Sequence, residues 1–348
     1  SCPCALALAA VSAAGVASGA LLARSVAVLR TGALEDLVSV THVVFDKTGT
    51  LTAGRLRLQR VITHTDVAQV NCRQVAAALE EGSEHPLATA LIDAAEGLPK
   101  LRVSALRNQP GAGLEGTIDG VRYALGSRAF IAGRVAGLRP ATDDAEGPEQ
   151  EALLAADGRL LAEFKLRDTI RPDAAATLAA LRAAGIRLAM FSGDRPAVAA
   201  RVGATLGIDD VRGGMTPPQK LAALEALQAA GAVVAVVGDG VNDAPMLARA
   251  SIAIAVANAA EHAKLNADLV LLRDEIAGVA AACELARRTR RVMRQNLWWA
   301  LGYNAVALPL ALAGFVAPWL AAVCMSASSL VVTINAARLR RTVANQGV

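Results

Sequence analysis

Three short hydrophobic runs constrain this chain more than anything else in it. HVVF ends at Asp46 in DKTGT, IRLAMF ends at Ser192-Gly193-Asp194, and AVVAVV ends at Gly238-Asp239-Gly240. Each has the length of a strand and closes in a polar loop that contains glycine. Near-continuous hydrophobicity, in place of strict alternation, marks strands buried on both faces. Helical segments such as Asp173–Ala184 and Gln219–Ala230 lie between the runs. The alternation predicts an α/β fold with a doubly wound parallel sheet. Open sheets of this kind place ligands beyond the carboxyl ends of their strands, which is where these acids stand.

The pattern is interrupted by roughly 110 residues, about Ala53 to Phe164, too many for a connecting loop. This insert carries a helix near Val67–Glu81, glycine-rich turns over Pro110–Gly116, and strands near Leu114–Ile118 and Val121–Leu125. The polar stretch Ala141–Gln150 reads as a mobile loop. The expected division is therefore a sheet domain over 31–52 and 165–275 and an inserted α+β domain over 53–164.

The net charge of the 348-residue chain is +4, but its arginines do not form a nucleic-acid stripe. They gather at Arg287, Arg288, Arg290, Arg291 and Arg294, and again at Arg338, Arg340 and Arg341, on either side of a stretch, Gln295–Ala337, without Asp, Glu, Lys or Arg. That arrangement predicts membrane lipid as the partner and no nucleic acid. Two apolar segments, Asn296–Ala313 and Pro318–Ala337, form a transmembrane hairpin over 295–340, with both basic clusters on one side as the positive-inside rule asks. A connecting helix over 276–294 precedes it and a tail over 341–348 follows. Trp298, Trp299 and Trp319 suit the interfaces.

Residues 5–23 read as one helix, either membrane-embedded or a close-packed core helix, within a first unit over 1–30. Five cysteines are an odd count without small-domain spacing, so reduced thiols facing a cytoplasm are the expectation. The sequence starts inside an apolar run, at Ser1-Cys2-Pro3-Cys4, without Met, and is expected to be a fragment of a longer protein.

Asp46 stands where a buried strand meets a loop, a place from which a carboxylate can attack a γ-phosphate in line. Phosphoryl transfer needs positioning and charge neutralisation, and the other strand ends supply Ser192 as hydroxyl, Lys220 as cation, and Asp239 and Asp243 as carboxylates. A single Asp after a strand is more often a turn or a helix cap. The ordered set DKTGT, SGD, a following lysine and GDGVNDAP closely resembles the P-type ATPase branch of the haloacid dehalogenase-like superfamily, over nearly the whole chain. The resemblance implies that Asp46 is phosphorylated from ATP, and that Asp46, the Thr48 carbonyl and Asp239 hold Mg²⁺. It also implies that Thr48, Ser192 and Lys220 bind the phosphoryl group, supported by Asn242 and Asp243.

Within the insert, Glu80, Ser83-Glu84-His85-Pro86 and Pro110–Gly116 are weak signals singly, since a helix-end histidine is usually a cap and glycine pairs usually mark turns. Together they resemble the nucleotide-binding domain of heavy-metal P-type ATPases. That likeness implies ATP binding by Glu80, His85, Gly111 and Gly113.

Cys2-Pro3-Cys4 combines soft thiolates with a helix-breaking proline. Beside a P-type catalytic domain it resembles the metal-binding segment of heavy-metal pumps. Tyr303-Asn304 and Met325, Ser328 and Ser329 resemble the paired signatures of the copper(I)/silver(I) subgroup. The alternative is ordinary packing for Tyr303 and Met325. LEEGSEHPLA, FSGD and the ending VAPWLAAVCMSASSLVVTINAARLRR resemble the subgroup serving haem-copper oxidase assembly. The resemblance implies a multi-pass protein of the cell (inner) membrane with cytoplasmic catalytic domains, and admits a cytoplasmic copper chaperone as metal donor.

The family's actuator domain and earlier membrane helices are expected in the N-terminal part missing here, so the fragment alone should not complete a cycle. Ile254–Ala259 also lacks the glycines of the family's turn at that point, which leaves the local loop geometry open. Two rival readings remain: a soluble haloacid dehalogenase-like phosphatase, and a non-catalytic membrane fragment that binds copper.

Overall fold

The computed structural model describes residues 4–30, 32–64, 68–83, 85–138, 150–240 and 243–344, but not the side chains of residues 4–7, 9, 86, 318 and 341–344. Cys2, the Cys4 side chain, Asn242 and residues 141–149 therefore lie outside the described residues. Helix α1 (Cys4–Leu22) leads through β1 (Val26–Val28) and α2 (Ala33–Leu37) to β2 (His42–Asp46). After a loop, β3 (Thr52–Thr63) opens an insert with α3 (Gln69–Leu79), α4 (Pro86–Asp93), β4 (Ser104–Gln109), β5 (Gly113–Ile118), β6 (Val121–Gly126), α5 (Arg128–Ala132), β7 (Gln150–Ala156) and β8 (Arg159–Ile170). The chain returns with α6 (Ala174–Ala183), β9 (Arg187–Phe191), α7 (Pro196–Leu206), β10 (Asp210–Arg212), α8 (Pro217–Ala229) and β11 (Val234–Gly238). It continues through α9 (Ala244–Arg249), β12 (Ile252–Ala255), α10 (Glu261–Asn266) and β13 (Leu269–Leu271) into α11 (Ala277–Leu312) and α12 (Pro318–Ala344).

The first sheet has seven strands in the order β1-β13-β12-β11-β2-β9-β10. All neighbours are parallel except β1, which pairs antiparallel with β13. Its central strands are sealed on both faces: Val43, Val44, Phe45 and Val234 to Val237 are fully buried. This is the continuous-run signature carried into three dimensions. The short strands β1, β10, β12 and β13 extend the sheet beyond the three runs legible in sequence, because strands of three or four residues give too little pattern to read.

The insert is a six-stranded antiparallel sheet, ordered β3-β8-β7-β6-β5-β4. Alternation gives it two apolar faces. Leu125, Leu154 and Phe164 join α3 and α4 residues on one, while Ala124, Leu153 and Ala155 join Phe130 and Ile131 on the other. Of the predicted turn over Pro110–Gly116, residues from Gly113 onward belong to β5.

The glycine-free stretch after GDGVNDAP closes without strain. Val256 N–H donates to the Gly238 carbonyl at 3.1 Å and Ala260 N–H to the Asp239 carbonyl at 2.8 Å, and no residue between them has a positive φ. The backbone here needs no left-handed residue, so alanine and valine serve.

α11 is a single helix of 36 residues, where a connecting helix followed by a separate apolar segment was expected. No glycine or proline interrupts it between Gly278 and Gly302, so the helix runs straight through the arginine cluster. Antiparallel α12 packs on it, and α1 lies against both; Ala13, Ala17, Ala20 and Leu21 of α1 and Ala336 and Leu339 of α12 are buried in the same core. Small residues at three- and four-residue steps let helices approach closely. Among the described residues one segment, Trp319–Arg340, is long and apolar enough to cross a membrane. Asn296, Tyr303, Asn304 and Pro309 lower the hydropathy of the facing half of α11.

Candidate active site

The order β11-β2-β9 sets three parallel carboxyl ends side by side, and so brings Asp239, Asp46 and Ser192 to one edge. Asp46 is 6 % exposed and its Oδ1 accepts a hydrogen bond from Lys220 Nζ, itself buried. Lys220 reaches in from the first turn of α8, whose start is fixed by a capping box. Thr216 N–H donates to Gln219 Oε1 at 2.8 Å, and Pro217 and Pro218 pre-set the first helical φ values. Burial pushes the Asp46 carboxyl above its ordinary range, against the pull of the Lys220 ammonium.

The loop Lys47–Leu51 turns back sharply, with Thr48 extended, exposed to solvent, and Gly49 left-handed at φ 72°. A Cβ on Gly49 would run into the Asp239 carboxylate, so glycine is needed there for both conformation and space. The loop is clamped from behind by Arg171, at the end of β8. Its Nε donates to the Thr50 carbonyl at 2.7 Å and its Nη2 to the Gly49 carbonyl at 2.8 Å, while Nη1 pairs with Asp274. Asp168 fixes the exit of the loop, accepting from the Thr52 hydroxyl at 2.5 Å and from Arg55 N–H at 3.0 Å. Neither Arg171 nor Asp168 was foreseen; their only sequence signal is a charged pair, RDTIR, closing a strand.

Ser192 is buried, and its hydroxyl donates to Asp194 Oδ2 at 2.7 Å. Lys47, also buried, pairs with the same carboxylate at 3.2 Å. Asp194, present in the SGD motif but given no role from sequence, thus ties the β9 end to the β2 loop.

Asp243 lies on the other flank. Its Oδ1 accepts from Gly240 N–H at 2.8 Å, and a Cβ on Gly238 would occupy its Oδ2. That Oδ2 is buried with no hydrogen-bond partner among the described residues, as is the Thr50 hydroxyl. Burial, with the negative charges of Asp46 and Asp239 added, raises the Asp243 carboxyl to about 7. An edge with this surplus of carboxylate oxygen and an unpartnered acceptor suits a hard cation such as Mg²⁺. Among the described residues no three His, Cys, Asp or Glu side chains close on one point. That fits an ion held by one or two carboxylates, a backbone carbonyl, water and phosphate.

In the insert, Glu80 ends α3 and is buried; burial raises its carboxyl, while Ser83 and His85 nearby oppose the rise. His85 is exposed and caps α4, its Nδ1 accepting from Leu87 N–H at 3.2 Å. The Cβ space of Gly116 is filled by Leu79 and Val103, so β5 meets the end of α3 next to Glu80. Gly111, at φ 75°, makes the β4–β5 turn. Gly113 is opposite Gly126, and the Phe130 ring fills the space a side chain would take. Packing alone therefore requires glycine at 113.

Along the helices, Trp299 Nε1 donates to Ser328 Oγ at 3.2 Å and Asn296 Nδ2 to the Val332 carbonyl at 3.4 Å. Asn304 and Ser329 bond to carbonyls one turn back on their own helices, at Ala300 and Met325. Tyr303, Asn304, Met325 and Ser329 are half-buried and Ser328 is buried.

A family model described as haloacid dehalogenase-like hydrolase matches residues 40–251. The chain belongs to that family. Over 97 % of its length it is 40 % identical to the nitrogen fixation protein FixI of Rhizobium leguminosarum bv. viciae, covering 43 % of that protein. It is 41 % identical over 97 % of its length to a probable copper-transporting ATPase, SynA, of Synechococcus elongatus, covering 43 % of it. The crystal structure of a zinc-transporting PIB-type ATPase in the E2.Pi state superposes with a TM-score of 0.84 at 33 % identity, over 97 % of this chain and 56 % of that one. The chain thus spans roughly half, or less, of the relatives it matches.

Proposed function

We propose that this haloacid dehalogenase-like chain is the catalytic and C-terminal membrane part of a P-type ATPase that drives copper(I), or silver(I), out of the cytoplasm. The observation that carries the proposal is Asp46: a buried carboxylate, ion-paired to Lys220, where three parallel strands end. A carboxylate oxygen of Asp46 attacks the γ-phosphorus of ATP; the bond to the bridging oxygen breaks, its electron pair leaves with ADP, and an acyl phosphate remains. Lys220 and the Ser192 and Thr48 groups receive the phosphoryl oxygens. Asp46, Asp239 and the Thr48 carbonyl hold Mg²⁺, which neutralises phosphate charge, and Asn242 and Asp243 support the site. The insert holds ATP through Glu80, His85, Gly111 and Gly113.

Helix register supports a shared level for the metal path. One turn outward from the Trp299–Ser328 contact, antiparallel α11 and α12 set Tyr303 opposite Met325. The thiols of the Cys2-Pro3-Cys4 motif and the Met325 thioether, in a chain with no charged residue from 295 to 337, suit a soft monovalent ion. The similarity to a zinc-transporting pump speaks for the architecture and leaves the choice of ion to these side chains. The catalytic domains then face the cytoplasm and the protein crosses the cell (inner) membrane several times; a copper chaperone is a fitting donor, and a role in oxidase assembly is compatible with the same export.

In the full-length protein, ATP should label Asp46 with hydroxylamine-sensitive phosphate, and Asp46→Asn should abolish it; labelling that survives would refute the assignment. Vesicle uptake should require copper(I) or silver(I) and vanish with Cys4→Ser. Uptake of zinc alone would overturn the metal reading.

A further inference from the structure

The two halves of α11 have different surroundings. Val279, Ala282, Cys283 and Ala286 are buried in the core of the parallel sheet, whereas Trp298 and Trp299 stand 68 % and 48 % exposed. Between them runs a stripe of arginines. Arg287, Arg291, Arg294 and Trp298 follow at steps of four, three and four residues, which aligns them on one helix face. With Arg290 and Trp299 they wall an open trough of about 820 Å³.

Among the described residues, no carboxylate neutralises Arg290, Arg291 or Arg294 in this trough. Arg287 is engaged, its Nη1 donating to the Ala184 carbonyl at the end of α6 at 2.6 Å, and Arg288 on the adjoining face pairs with Glu284. Arg290, Arg291 and Arg294 are exposed and pair with no carboxylate among the described residues. No Asp or Glu follows Glu284 anywhere in the chain. The indoles begin about 6 Å beyond Arg294 along the helix axis. Unpaired guanidinium groups followed at once by exposed indoles match the order of layers met on entering a bilayer: anionic headgroup first, then the amphipathic interface. A guanidinium presents paired donors that fit phosphate oxygens.

We propose that this trough is a seat for the phosphate headgroup of an anionic phospholipid, with Arg290, Arg291 and Arg294 holding the phosphate and Trp298 and Trp299 resting on the glycerol and upper acyl region. Because α11 is continuous, and Arg287 ties it to α6, the lipid grips the same rod that is packed into the catalytic sheet. It thereby sets the height of that sheet above the bilayer. The proposal rests on the reading of α11 and α12 as membrane helices.

The test uses the full-length protein in phosphatidylcholine vesicles doped with brominated lipid, which quenches indole fluorescence on contact. The Trp298 and Trp299 signal is isolated by difference against the W298F/W299F variant. Brominated phosphatidylglycerol should quench it roughly fivefold more strongly than brominated phosphatidylcholine at equal mole fraction. The preference should fall to about unity in R290Q/R291Q/R294Q, and shrink at high salt. Equal quenching by the two lipids in the parent protein, or a preference that survives the triple variant, overturns the seat. A preference abolished by millimolar inorganic phosphate at constant ionic strength assigns the arginines to a soluble anion and also overturns it. If neither lipid quenches these indoles or Trp319, the membrane reading itself fails and the proposal falls with it.

Discussion

At the carboxyl ends of the central parallel strands, buried charged side chains meet their partners across large sequence separations: Lys220 with Asp46, Arg171 with the Gly49 and Thr50 carbonyls, Lys47 with Asp194. In the six-stranded antiparallel sheet the charges spread over a face. Arg128, Glu151, Glu163 and Lys165 form a part-buried lattice of neighbours on adjacent strands and α5. The difference follows from topology. Parallel strands all point their carboxyl ends one way, so polar loops converge and a reactive centre forms at a rim; antiparallel strands send loops to both ends, and polar groups pair across the ladder instead. Disturbing the first set should stop chemistry more than it unfolds the chain. Disturbing the second should do the reverse.

The sharpest separation is expected from Lys220→Ala. Removing the ammonium leaves Asp46 buried without its partner and withdraws a cation from the developing phosphoryl charge. Phosphoenzyme formation from ATP, measured in the full-length protein, should fall by about a hundredfold or more. Thermal unfolding of the inserted sheet, followed by hydrogen exchange, should be unchanged. Equal loss in both regions would break the comparison.

Arg171→Ala should come next. A buried guanidinium that satisfies two loop carbonyls and an acid leaves all of them unpaired when removed, a loss on the order of 3 kcal/mol. Exchange protection should drop first at residues 47–52, with phosphorylation reduced in parallel. Protection lost uniformly across the sheet would show that Arg171 acts on the fold and not on the loop.

These two residues also mark what was legible in the sequence. Asp46, Ser192, Asp239 and Asp243 could be read because each lies in a short motif at the end of a strand, and Lys220 because it stands at a helix start after them. Arg171 and Asp168 could not. Their role exists only because β8 returns antiparallel beside β3, more than a hundred residues after the loop they clamp. Gly113 was read as a glycine that lets the backbone come close to the nucleotide; what sequence did not show is that its Cβ space is filled by Phe130, a contact set by α5 folding over β5 and β6. The arginine-bearing stretch 276–294 was read as a connecting helix leading into an apolar segment, and α11 runs through both without a break. Helix continuity depends on backbone propensity, which arginine does not interrupt.

Gly113→Val tests the packing role directly. The added side chain must displace Phe130 and the Leu125 carbonyl, which should cost about 2 kcal/mol of stability in the insert. Phosphorylation at saturating ATP should be retained if the parallel sheet folds independently of that strain.

The smallest effect belongs to the charge lattice, and its sign is set by Glu151. The hydrogen bond from Arg128, at 2.7 Å, with Lys165 adding to it, holds the Glu151 carboxyl at about 2, below its ordinary 4.5. A carboxyl depressed in the folded state binds protons more readily when unfolded, so it stabilises the fold above its unfolded value. That contribution is lost as pH falls from about 4.5 through about 2. Glu151→Gln should therefore destabilise the insert by about 1 kcal/mol at neutral pH, and the gap between variant and parent should close across that acid window. Other carboxylates titrate there too, so the informative quantity is the difference between the two proteins in denaturant unfolding. A gap that stays constant down to the lowest pH would show that the lattice stabilises the sheet by packing of its alkyl stems, and the contrast between an electrostatic face and an electrostatic edge would have to be redrawn.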